Sequence, residues 1–286
     1  MGIIITKMQG CGNDFVILDH EEYKKGFDEN RWEDMSNAAK ILCNRNFGIG
    51  ADGLIIPNAC INEADIGWFF YNSDGSTAQM CGNGMRCFAK YVYDNGLVDK
   101  KEFTVKTLAG IISPRITDDG TIRVNMSKPI LDSYKIPFIP NNNLNYKISV
   151  KDRIFEGNAI SMGNPHFVIF VDTDDNLLDL AQEFGPIIET SAEFPEKTNV
   201  EFIKILSRKK INLCVWERGC GITLACGTGA CAATVAGILN GYIDNSVDVN
   251  LLGGTVHIDW NGSSTEKSVD VYLTGPAEYV FRAELE

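Results

Sequence analysis

The chain has 286 residues, enough to bury a sizeable core as one large domain or as two of half that length. A net charge of −12, with no Lys/Arg run interleaved with aromatics, repels phosphate backbones and argues against nucleic acid as a partner. Nine cysteines without a secretory leader argue against a disulfide framework, and no apolar stretch reaches bilayer-spanning length, so a cytoplasmic chain with no membrane partner is expected.

From the N-terminus, residues 1–7 read as a first strand, and 15–18, 67–71, 103–107 and 122–126 as four more, each rich in β-branched or aromatic residues. Trp32, Met35, Ala39 and Leu42 recur at helical spacing and predict a helix over 30–44. Residues 84–95 follow a glycine turn and mix small with apolar side chains, as buried helices do. A polar, Pro/Asn-rich stretch at 137–145 interrupts the pattern. Beyond it, strands are expected at 152–160, 167–171, 211–216, 254–260 and 269–273, with a second buried helix at 228–240.

The second half restates the first. MQGCGNDFVILD (8–19) echoes MGNPHFVIFVD (162–172), each placing an Asn ahead of a Phe-Val-Ile run. NSDGSTAQMCGNG (72–84) aligns without a gap on ERGCGITLACGTG (217–229). Residues 108–110 echo 252–254, and 124–129 echo 271–276. Four echoes in one order predict two homologous halves, 1–140 carrying Cys81 and 141–286 carrying Cys226. The expected fold class is α+β: two pseudo-symmetric halves, each a strand-rich sheet wrapped around a central helix. In that scheme the halves face each other across a cleft that holds the active site.

Cys81-Gly82-Asn83-Gly84 and Cys226-Gly227-Thr228-Gly229 each set a cysteine at the start of a helix. Unpaired N–H groups and the positive dipole end gather there, which favours a thiolate and binds a carboxylate. Two such turns could hold one carboxylate and put a sulfur on each face of its α-carbon. One thiolate would remove the α-proton while the other thiol delivers one, which is inversion by general acid–base catalysis. N–H donors on the carboxylate would stabilise the developing charge. Nothing in the chain suggests a pyridoxal lysine site, so no cofactor is expected.

At this point the residues match a family. GCGNDFVILD (10–19), FGIGADGLI (47–55), NSDGSTAQMCGNGMRC (72–87), SMGNPHFVIFV (161–171), TNVEFI (198–203) and ERGCGITLACGTGACAA (217–233) resemble diaminopimelate epimerase over essentially the whole length. The resemblance implies epimerisation of LL-2,6-diaminopimelate to the meso form, with Cys81 and Cys226 as the two bases. It implies that Gly82-Asn83 and Gly227-Thr228 clamp the reacting carboxylate and that Asn72 and Glu217 hold the reacting amino group. Asn13, Asn164, Asn199 and Arg218 are similar to the contacts to the distal end of the substrate, and a guanidinium suits a second carboxylate there. It also implies independence from pyridoxal phosphate, closure of the halves on substrate and a homodimer. Gln9 stands where the family often has His, and Ile222 where a Glu usually precedes Thr223. Ala51-Asp52-Gly53 is one of two common versions of its block, the other ending in Gln.

Other readings stand beside this one. His166 reads as a residue lining the site or as a hydrogen-bonded loop residue. Cys87 and Cys231 read as core cysteines. The same scaffold could racemise another amino acid, such as histidine. A zinc or redox-sensing protein is the remaining alternative, although the x5 and x4 spacings of Cys81/Cys87 and Cys226/Cys231 are looser than a zinc knuckle, so no metal is expected.

Overall fold

The computed structural model describes residues 3–19, 35–59, 62–172 and 174–285. Residues 30–34 of the first predicted helix, Trp32 included, lie outside the described residues. The chain forms two compact units, Met1–Val124 with Gly275–Glu286, and Asn125–Thr274. The boundary expected at 140/141 therefore falls inside the second unit, and the chain's end returns to the first, because its last strand pairs with the first strand.

In the first unit β1 (Ile3–Gly10) turns at Cys11-Gly12 into β2 (Asn13–Leu18), both turn residues having positive φ. There follow α1 (Met35–Leu42), β3 (Gly53–Asn58), β4 (Ile66–Asn72), α2 (Gly82–Asp94), β5 (Val105–Thr107) and β6 (Gly110–Ile112). A short hairpin of β7 (Arg115–Ile116) and β8 (Ile122–Asn125) comes next. With β18 (Glu278–Leu285) the sheet runs β18-β1-β2-β3-β4-β5-β6. Only β2/β3 and β4/β5 are parallel, and a parallel pair needs a crossover; α1 supplies the first and α2 the second. Val16, Leu18, Leu54 and Ile56 pack with Ala38, Ala39 and Leu42 of α1. Phe15 and Ile55, of the opposite phase, lie under Gly84 of α2. Both faces are buried, which is why these strands read as continuous apolar runs.

The second unit repeats that topology. It comprises β9 (Tyr146–Val150), β10 (Arg153–Ser161), β11 (Pro165–Phe170), α3 (Leu177–Glu189), β12 (Asn199–Ser207) and β13 (Lys210–Glu217). It continues with β14 (Gly221–Ile222), α4 (Gly227–Leu239), β15 (Ser246–Leu251), β16 (Gly254–Asp259) and β17 (Tyr272–Gly275). Here β11/β12 and β13/β15 are the parallel pairs, crossed by α3 and α4. Hairpin, crossover, hairpin, crossover, hairpin is the order in both units, so β2 matches β11, and α2 matches α4. The internal repeat seen in the sequence is a repeat of this pattern.

The helix α4, GTGACAATVAGIL, is small and apolar all round and packs against β10, β11, β12 and β16. Such a helix has no solvent face to offer and belongs inside its sheet. The α2 helix occupies the same place in its unit, against β1, β2 and β3. The sequence pattern leaves out β3, β6, β7, β9, β14, β15 and β18, and with them two longer elements that carry the second unit, α3 and β12. The α3 helix contains Gly185 and Pro186, which read as breakers, yet Asn176 caps it through the Leu178 and Asp179 N–H groups. Gly185 is there because a Cβ would lie 2.5 Å from Trp216 of β13. The β12 strand hides in the run after 198, where a single Glu breaks an apolar alternation.

Candidate active site

Both predicted turns are helix starts, and in each the cysteine is the N-cap. Cys81 has φ −140° and ψ 119°, and its Sγ accepts from the Gly84 N–H at 3.4 Å. Cys226 has φ −116° and ψ 106°, and its Sγ accepts from the Gly229 N–H, also at 3.4 Å. Gly82-Asn83 and Gly227-Thr228 thus supply the first-turn N–H groups of α2 and α4, which a helix leaves without partners of its own.

Around Cys81 the first unit gathers Asn13, Asn83 and Asp52. The Cys81 thiol donates to Asn13 Oδ1 at 3.8 Å, and Asn83 Nδ2 donates to the same oxygen at 3.1 Å. Asn13 Nδ2 donates to Asp52 Oδ2 at 2.5 Å, so its amide cannot turn over without losing every one of these bonds. Arg45 ties Asp52 to Asp14. Burial pushes the Asp14 carboxyl up, but Arg45 and Lys7 outweigh it and hold Asp14 at about 2. Gln9, the first departure, accepts from the Gly12 N–H at 2.8 Å and so braces the β1–β2 turn that carries Asn13. Asn72 closes its own turn through Ser76 Oγ at 2.9 Å. Arg86, wholly buried one turn into α2, donates to Asn83 Oδ1 and to the Pro276 carbonyl.

Around Cys226 the second unit gathers Glu217, Thr228 and, unexpectedly, Glu201. Thr228 Oγ1 lies 3.5 Å from the sulfur. Burial pushes the Cys226 thiol well above its ordinary value, and the Glu217 and Glu201 carboxylates add to this. The Thr228 hydroxyl and Gly229 N–H oppose the shift and lose. The sequence expectation of a thiol acidified by its helix is therefore corrected at Cys226: low dielectric and two acidic neighbours outweigh one dipole end. Glu217 is itself pushed up, chiefly by burial, against a hydrogen bond from Thr223.

Asn199 is buried, and its side chain accepts from the Arg218 N–H at 2.9 Å and donates to the Pro165 carbonyl at 2.9 Å. Arg218 is exposed, with Nη1 on the Glu196 carbonyl at 3.0 Å. His166 is fully buried rather than open to the surface, and its ring joins Glu201 to Asn164. Ile222, the second departure, pairs with Trp216 and packs on the α3 core, so its change from Glu is one of packing. Cys87 and Cys231 are fully buried, and burial pushes Cys87 up to about 12. Among the described residues no three His, Cys, Asp or Glu side chains are grouped as metal ligands would be.

Glu201 and Asp52 were the residues missed. Both stood inside blocks quoted above, TNVEFI and FGIGADGLI, but an acid in a short apolar run gives no periodic signal. The available signal was Glu201 itself: a carboxylate flanked by Val200 and Phe202 must either face out or meet a partner.

The family model described as diaminopimelate epimerase matches residues 5–131 and 158–280, which takes in both cysteine turns. The diaminopimelate epimerase of Heliobacterium modesticaldum is 44% identical over 98% of each chain. That of Carboxydothermus hydrogenoformans is 45% identical over 97% of each, and that of Methanococcus maripaludis 39% over 98% of this chain and 99% of its own. Among solved structures, a PhzF-family phenazine biosynthesis protein of Bacillus anthracis shares the fold with a TM-score of 0.67 at 15% identity, covering 100% of this chain and 99% of that one. A hydroxyproline epimerase from Agrobacterium vitis does so at 0.65 and 12%, covering 99% and 92%. A match that spans both repeats, with the thiol-capped helices in each, leaves one assignment: the chain belongs to the diaminopimelate epimerase family.

Proposed function

We propose that this isomerase converts LL-2,6-diaminopimelate to meso-diaminopimelate without a cofactor, using Cys81 and Cys226 as its two bases. The observation that supports the pair is positional. Each cysteine caps the one helix that lies inside its sheet, at the same step of the same topology. In the reaction a thiolate takes the α-proton from one face, and the opposite thiol gives its proton to the other. Charge developing on the carboxylate is met by the first-turn N–H groups at Gly82-Asn83 and Gly227-Thr228. After turnover the two sulfurs have exchanged protonation states, and nothing else has been consumed. Glu217 and Asn72 hold the amino group; Asn13, Asn164 and Arg218 take the distal amino-acid end, with Asn199 bracing Arg218 from behind.

Incubation with LL-diaminopimelate in D₂O tests this. The expected result is a meso product carrying one deuterium at the inverted α-carbon. Exchange with other amino acids but none with diaminopimelate would overturn the substrate.

We also propose a cytoplasmic homodimer that feeds lysine and cell-wall precursor synthesis. Among the described residues no helix is long and apolar enough to cross a membrane. The β18 strand is a sheet edge that exposes Tyr279, Val280 and Phe281 beside a depression of about 310 Å³. An exposed apolar edge invites pairing with another strand. Sedimentation should give twice the chain mass, and Phe281→Glu should halve it. A monomeric wild type would remove the homodimer from the proposal.

A further inference from the structure

Arg86 is wholly buried in α2, yet among the described residues no carboxylate pairs with it. Its partners are neutral. Nε donates to the Pro276 carbonyl at 3.0 Å, Nη1 to Asn83 Oδ1 at 2.9 Å and Nη2 to the Cys11 sulfur at 3.8 Å. Gly10 makes room for the group, since a Cβ there would lie 2.9 Å from Nη2. Burying a cation without a counter-charge is unfavourable, and the neighbouring Met85 and Phe88 fill their buried places with apolar side chains. Packing alone gives no reason for a guanidinium here.

The reason lies in the direction that a guanidinium imposes. It only donates, so Asn83 must turn its oxygen toward Arg86 and its N–H₂ group away. That N–H₂ group donates to Asn13 Oδ1 at 3.1 Å. Asp52 imposes the same direction from the other end. Its Oδ1 accepts from Arg45 at 2.8 Å and its Oδ2 from the Asp14 N–H at 3.1 Å, so this half-exposed carboxylate is an acceptor on both oxygens. Asn13 must therefore give it the N–H₂ group, at 2.5 Å, and turn its own oxygen the other way. The two ends agree. Arg86, Asn83, Asn13 and Asp52 form a one-way chain of hydrogen bonds whose direction depends on no shared proton. The oxygen so fixed lies 3.8 Å from the Cys81 sulfur.

We propose that Arg86 and Asp52 are positioning residues for the Cys81 half of the site: from opposite ends they hold Asn13 with its oxygen toward the sulfur, where it receives a thiol proton or an ammonium N–H and repels a carboxylate. This rests on the two-base reading above. A substrate carboxylate approaching Cys81 is thereby left to the first-turn N–H groups of α2.

Because either end alone imposes the direction, the test removes one end, then both. With Asp52→Asn the new amide can give or take, but Arg86 still directs the chain; with Arg86→Gln, Asp52 does. In D52N and in R86Q kcat/KM for diaminopimelate should each fall only about threefold, and in the double variant about 100-fold, about tenfold beyond the product. Structural damage at two residues that share no contact would simply multiply. R86K still only donates, so its combination with D52N should give the plain product. A double variant D52N/R86Q at the product of its singles would overturn the proposal, as would the same excess with R86K.

Should R86Q not fold, a swap at the exposed end carries the test. Asn13→Asp sets two carboxylates face to face and should lower kcat/KM about 100-fold. Adding Asp52→Asn gives the new carboxylate an amide hydrogen while an oxygen still faces Cys81, and should restore about tenfold. No restoration in the swapped protein would overturn the proposal. A wild type that exchanges no α-proton of diaminopimelate would instead overturn the two-base reading on which it rests.

Discussion

Cys226→Ser is expected to fold normally and to lose epimerisation by about 10³–10⁴-fold, while still exchanging the α-proton of one stereoisomer. Serine is among the best N-cap residues, so α4 keeps its cap and the melting temperature should hardly move. Its hydroxyl is far too weak an acid to serve as the second proton donor or as a thiolate. Cys81 remains, and can take an α-proton from its own face and return a solvent deuteron to the same face. Exchange without inversion is the signature to look for, by NMR of the α-proton alongside chiral analysis of the product. Cys81→Ser should behave differently. Burial and the Glu217 and Glu201 carboxylates hold Cys226 as a thiol at neutral pH, so its thiolate fraction is small and grows as pH rises. Residual exchange in C81S should therefore be slower than in C226S near neutrality and increase toward alkaline pH. Equal exchange by both variants at pH 7 would contradict the asymmetry. Retention of inversion by either would remove the two-base mechanism altogether.

That asymmetry was not legible in the sequence, although the cysteines were. Matching CG-x-G turns at matching places in a repeat announce two capped helices, because glycine and an N-cap side chain act locally. Predicted starts at 84 and 228 fall within two residues of the observed Gly82 and Gly227 for that reason. Glu201 acts through space, from a strand 25 residues before Cys226, and only the register of β12 under α4 brings it to the sulfur. The α3 helix was hidden for a similar reason, since Gly185 answers to Trp216, a residue of another element. The repeat announced two halves, while the compact units divide at Val124/Asn125 and take the last strand back into the first unit. Its echoes stop near 276, while β18 beyond them returns to pair with β1, a contact that no local pattern encodes.

Arg218→Ala should lower kcat/KM for diaminopimelate by about 100-fold, almost wholly through KM, and leave stability within about 0.5 kcal/mol. The guanidinium is exposed, and its hydrogen bond to the Glu196 carbonyl is a surface contact of small worth. Its position is nevertheless fixed from behind. Asn199 accepts from the Arg218 N–H, and Glu189 accepts from the Gly219 N–H at 3.0 Å and from Trp216 Nε1 at 2.8 Å. A backbone held at both sides of residue 218 fixes where the side chain starts, and the cost left on binding is the rotamer freedom of the arginine itself. A bidentate pair with the distal carboxylate is the interaction that the truncation removes. Arg218→Lys should recover only part of the loss, because an ammonium cannot form the fork. The distal monoamide should be nearly indifferent to R218A, and that comparison separates charge recognition from general damage to the site. Asn199→Ala makes the complementary case: it deletes the brace and orphans the Pro165 carbonyl, so KM and melting temperature should worsen together. If R218A instead weakened both substrates alike, Arg218 would belong with Asn199 as scaffold, and Asn164 alone would have to choose the distal group.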